Sequence, residues 1–100
     1  MSLKIEVEFS PAFQSRLSLE RQTYFLEQDR PTFKDLLDRL LEKYGGKISP
    51  LLIAPHQKEI LSGLMVMVND RVFTGTALNQ EDIPLSDGDK VSLLYFISGG

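Results

Sequence analysis

The stretch TFKDLLDRLLEKYG, running from Thr32 to Gly45, decides how the rest of the chain is read. Phe33, Leu36, Leu37, Leu40, Leu41 and Tyr44 recur at the three-and-four spacing that lines one side of an α-helix, and the opposite side is charged. Its ends agree with the period. Thr32 is a residue type that caps the first free amides, Asp35 favours the positive end of the helix dipole, and Gly45 supplies the left-handed position that ends helices. Asp35 and Arg39 stand at helical spacing for a surface ion pair. A helix with one apolar side needs an apolar surface to cover, and the flanking sequence supplies one.

Upstream, Leu3 to Phe9 alternates strictly: Leu3, Ile5, Val7 and Phe9 face one way, Lys4, Glu6 and Glu8 the other. This pattern predicts a half-buried strand. Ser10-Pro11 breaks it, and a second extended stretch is expected around Leu17 to Leu26, with no register fixed by its poor alternation. Downstream, Pro50 and Pro55 bracket Leu51-Leu52-Ile53 closely, so 46–63 reads as a packed loop. Leu64 to Val68 predicts a strand, Asn69-Asp70 a tight turn in which both residues tolerate positive φ, and Arg71-Val72-Phe73 a returning strand. A polar loop containing Asn79 to Asp82 and the turn signals Pro84 and Asp87-Gly88-Asp89 precede a last strand from Val91 to Ile97. Ser98-Gly99-Gly100 remain as a flexible tail on a domain spanning 1–97. The order describes an α+β fold, a single mixed sheet of four to five strands with one main helix across a face.

The bulk properties narrow the function. At 100 residues the chain is long enough for one core and too short for two. Its net charge of −3 is mild, and its lysines and arginines are scattered, so the electrostatic attraction that drives nucleic-acid binding is missing. There is no cysteine, which removes thiolate metal sites, a catalytic thiol and sulfur carried on a side chain. The single histidine, His56, has no second imidazole for a zinc site or a catalytic pair and reads as a solvated loop residue. Asp87 and Asp89 flank a glycine, as turn residues do, and read as local backbone ligands with no metal between them. Gly45, Gly46, Gly63, Gly75 and Gly88 fit no phosphate-loop spacing, so no bound ATP or other cofactor is expected. No apolar run approaches a bilayer span and no signal-peptide block is present, which predicts a cytoplasmic protein without a membrane partner.

Val66-Met67-Val68-Asn69, Pro84-Leu85-Ser86-Asp87-Gly88-Asp89 followed by an apolar strand, and the terminal Ser98-Gly99-Gly100 together carry a family resemblance. The chain resembles the MoaD/ThiS group of β-grasp, ubiquitin-like sulfur carriers, best over its final third. That resemblance implies a non-catalytic protein acting as substrate for others. A ubiquitin-activating-type enzyme would adenylate Gly100 with ATP, and a sulfur donor would convert the adenylate to a thiocarboxylate. An acceptor such as the large subunit of molybdopterin synthase would then take the sulfur. The Ser-Gly-Gly ending leans toward the molybdopterin branch over the thiamine one. Two features depart from the compact members: no proline shortly precedes the tail, and the 46–63 segment is an insertion. The competing readings are a ubiquitin-like modifier joined to lysines through Gly100, and an interaction module whose tail is incidental.

The tail suits that chemistry. Gly99 and Gly100 lack a Cβ, so with Ser98 they pass a narrow channel toward a bound nucleotide. Ordering them costs roughly 1–2 kcal/mol per residue, which a partner must offset by gripping the folded body. The strand patterns place that grip. With Leu64, Val66 and Val68 facing the helix, Met65 and Met67 point outward, and Leu94 and Phe96 do the same in the last strand. An outward apolar patch on adjacent strands marks a protein partner. The alternative is that the 46–63 insertion folds over this face and buries it.

Overall fold

Strand β1 (Leu3–Phe9) forms as its alternation predicts, with Ile5, Val7 and Phe9 at most 1% exposed. The computed structural model describes residues 2–54 and 59–95. Five strands make one mixed sheet in the order β2-β1-β5-β3-β4. The others are β2 (Arg21–Leu26), β3 (Leu64–Val68), β4 (Arg71–Thr74) and β5 (Lys90–Tyr95). Every pairing is antiparallel except that of β1 with the central strand β5, the two running parallel from Glu6 opposite Lys90 to Phe9 opposite Leu93.

The long helix α2 (Phe33–Tyr44) lies across one face of this sheet. Its Phe33, Leu36, Leu37 and Leu40 join Ile5, Val7, Val66, Val91 and Leu93 in one core cluster. Each such side chain contributes roughly 1.5–3 kcal/mol on full burial. The helix start is held from two directions: the Asp35 carboxylate accepts the Thr32 backbone N–H at 2.7 Å, and the Phe33 N–H donates to the Ile83 carbonyl at 2.8 Å. Asp35 therefore serves Thr32, and no ion pair joins it to Arg39, contrary to their spacing. Gly45 ends the helix with the positive φ expected, 54°, but its ψ of −128° lies outside the left-handed helical conformation.

Three expectations are corrected. The second extended stretch begins only at Arg21, because Pro11–Leu17 forms a helix, α1, whose first turn holds Pro11 where its missing N–H costs nothing. The described residues of the 46–63 segment are more ordered than a loop. A 3₁₀ turn (Gly45–Lys47) leads into a one-turn helix, α3 (Ser49–Leu52), with Pro50 in its first turn. Ile48, Leu52 and Ile60 then join the core cluster on the α2 side. Finally, Asn79 belongs to helix α4 (Gly75–Gln80), capped by the Thr74 hydroxyl accepting the Ala77 N–H at 3.3 Å. Of Asn69-Asp70, only Asn69 takes positive φ, at 55°.

Candidate partner-docking face and C-terminal strand

The face of the sheet turned away from α2 changes character from edge to edge. The registers line up one row across all five strands: Val72 opposite Met67, Met67 opposite Ser92, Ser92 opposite Glu8, and Glu8 opposite Arg21. The next row sets Thr74, Met65 and Leu94 side by side. The half on β4, β3 and β5 thus gathers Val72, Met67, Met65 and Leu94 around Ser92 and Thr74, and the half on β1 and β2 holds the charged residues Lys4, Glu6, Glu8 and Arg21 beside Thr23 and Phe25. In the charged half Arg21 stands 3.5 Å from Glu6 and 3.8 Å from Glu8. These exposed pairs contribute about 0–1 kcal/mol.

Met65, Met67 and Leu94 are half-buried on this face, as the alternation requires, while their neighbours Leu64, Val66, Val68 and Leu93 are buried against α2. The described residues of the insertion pack on the opposite side, so they do not bury the patch. Val72, 52% exposed, extends the apolar half beyond the residues named from sequence. Its position was available from the hairpin alone, since it lies across from Met67 and alternates with buried Phe73. Phe25, 53% exposed, was missed because β2 could not be registered by pattern. Phe96, Ser98, Gly99 and Gly100 lie outside the described residues, as do Ile97 and His56.

The approach to the tail is fixed by the turn before β5. Asp87 accepts the Lys4 N–H at 2.8 Å, and Asp89 accepts the Ser86 N–H at 2.8 Å and the Asn69 side-chain amide at 2.9 Å. Gly88, at φ 87, donates its N–H to the Lys4 carbonyl at 2.8 Å. Asp89 thus holds the local Ser86 amide expected of a strand-entering turn and the Asn69 side chain besides, whereas the Asp87 bond is not local and runs to Lys4 on β1. These bonds lock β5 beside β1, where Ser10 N–H reaches the Leu93 carbonyl at 3.1 Å.

A family model described as the ThiS family matches residues 14–100. The chain belongs to the ThiS family. Solved structures agree on the fold. SAMP1 of Haloferax volcanii aligns with a TM-score of 0.74 at 19% identity over 97% of this ThiS-family chain and 99% of its own. The putative molybdopterin converting factor, subunit 1, of Pyrococcus furiosus aligns at 0.71 and 18% identity, over 96% and 100%. A chain of the BexX/CysO complex of Amycolatopsis orientalis aligns at 0.65 and 18%, over 96% and 99%. The ThiS-family chain therefore has the β-grasp, ubiquitin-like fold shared by carriers and modifiers. No curated protein matches it in sequence. Among the described residues no helix is long and apolar enough to cross a membrane.

Proposed function

We propose that this ThiS-family protein is a sulfur carrier, itself without catalytic residues, whose reactive group is the carboxylate of Gly100. The observation that carries the reading is the outward patch of Met65, Met67, Val72 and Leu94 on β3, β4 and β5, the last of which is the strand that precedes the diglycine in sequence. A partner enzyme grips Met65, Met67, Leu94 and Phe96 and threads Ser98 and Gly99 into its pocket. The Gly100 carboxylate attacks the α-phosphate of ATP, and pyrophosphate leaves. A sulfur nucleophile from the donor then displaces AMP to give the thiocarboxylate, which passes its sulfur to an acceptor. Among acceptors, the Ser-Gly-Gly ending and the fold shared with the Pyrococcus furiosus protein named for molybdopterin conversion favour a molybdopterin synthase large subunit.

Intact-mass spectrometry of the protein from its native host tests this. The expected product carries sulfur in place of one terminal oxygen, and deleting Gly99 and Gly100 abolishes it. The competing modifier reading draws on the fold shared with a protein called small archaeal modifier protein 1. It predicts branched conjugates that leave Gly-Gly on lysines of other proteins, with no thiocarboxylate. Undiminished biological activity after the deletion would sink both and favour an interaction module.

A further inference from the structure

The two outer edges of the sheet differ in how much free backbone they offer. The Phe9 N–H donates to the Glu20 carbonyl, and alternate residues of β1 (Glu6, Ser10) donate the other way, to Asp89 and Leu93. By that parity Gln22, Tyr24 and Leu26 bond to β1, and the N–H and C=O groups of Arg21, Thr23 and Phe25 point away from the sheet. On the far edge β4 has four residues, and Thr74 already turns into α4 as its cap. Natural edges are blunted by shortness, proline, lysine or a bulge. β4 uses the first device. β2 has six residues with no proline and no bulge, and its one charged side chain is Arg21 at its first position.

We propose that the outer edge of β2 pairs antiparallel with the same edge of a second copy, centred on Thr23, joining two five-stranded sheets into one. Two observations favour a second copy over a foreign strand. A dyad at Thr23 pairs every free residue within the strand: Thr23 with its own copy, and Arg21 with Phe25 of the other chain on both sides. That register sets a side chain 62% exposed and cationic beside a ring 53% exposed, the pairing that Arg and an aromatic face favour, and it covers Phe25. Arg21 remains beside Glu6 and Glu8 in this arrangement. The dimer leaves the apolar half on β3, β4 and β5 free, two strands away, so its failure and the failure of the carrier reading are distinguishable.

The absence of cysteine makes the register directly readable. Across a hydrogen-bonded antiparallel pair the Cα atoms are about 5.5 Å apart, inside the range a disulfide spans. Thr23→Cys should therefore cross-link to a dimer under mild oxidation. Phe25→Cys should not, because its two copies stand about 13 Å apart along the strands. The natural chain should climb from near the monomer mass toward twice that value over about three decades of concentration, as mass action requires. Thr23→Pro removes an outward N–H only, a substitution edges tolerate, and should stay folded by circular dichroism, remain monomeric and still be adenylated. A monomer at every concentration overturns the proposal and leaves a foreign strand as the occupant. Equal cross-linking at both positions, or an undisturbed dimer in the folded proline variant, overturns it as well.

Discussion

At Gly75 an added methyl would sit 1.9 Å from the Leu61 carbonyl oxygen and 2.7 Å from its carbon, atoms of a backbone that cannot swing aside. Gly75→Ala should cost roughly 1–3 kcal/mol or more, read as a lowered urea midpoint. Gly63→Ala, with nothing within 4 Å, should change stability by less than about 0.5 kcal/mol, and equal losses at the two sites would refute the steric account. Tyr24 offers a second test. Burial first, and then the Tyr44 hydroxyl 2.5 Å away, push its ionisation well above the usual tyrosine range. Above about pH 10 the unfolded chain sheds a proton that the folded one keeps, so stability falls as pH rises through that point. Tyr24→Phe should flatten that decline while lowering neutral-pH stability by about 0.5–1.5 kcal/mol, and an unchanged alkaline slope would reject the assignment. Neither residue announced itself in the sequence. A glycine pressed on a distant carbonyl and a tyrosine pair 20 positions apart are contacts that only tertiary structure creates.

Between elements, Asn79 does what a strand would. Its side-chain amide accepts the Ile60 N–H at 2.8 Å and donates to the Ile60 carbonyl at 2.9 Å, fastening the insertion to α4. Asn79→Leu should cost about 1–3 kcal/mol by stranding both groups, with the Ile60 amide exchanging faster with solvent. A slow, unchanged Ile60 amide would contradict the clasp. The elements visible in the sequence were those whose burial follows a period: β1, α2 and the β3–β4 hairpin, each correct in type and nearly in bounds. The elements missed share another trait. α1 begins at Pro11 and α3 holds Pro50 at its second position, each read as a breaker although proline is at home in a first helical turn, and both helices are too short for a period to show. α4 opens on a glycine for the steric reason given above, which hid it within a polar stretch.

On the scale of the whole molecule, the sheet's open face is half apolar and half charged, and the carrier reading depends on the apolar half. Met67→Asp and Leu94→Asp should each abolish adenylation by the activating enzyme while leaving the thermal transition nearly unchanged, since both side chains are half-buried and outside the core cluster. Phe96→Asp should behave likewise. Glu8→Gln, on the charged half, should leave adenylation within a few-fold; loss there with retention in Met67→Asp would reverse the assignment of the two halves. The outward direction of Met65, Met67 and Leu94 was legible because a strand's period of two needs only one buried neighbour to fix it. The edges were not, because edge and centre differ in pairing, which no local pattern records.

The parallel contact of β1 with β5 carries one more consequence. β1 finds its central neighbour only when β5 has followed, so the edge of β1 that carries the Glu6 and Ser10 N–H groups waits unpaired while β2 and α2 are already made. A chain halted before Lys90 has no middle to its sheet. A molecule whose sheet is whole has therefore been translated through β5, so the patch of Met65, Met67 and Leu94 is complete only once that strand is in place.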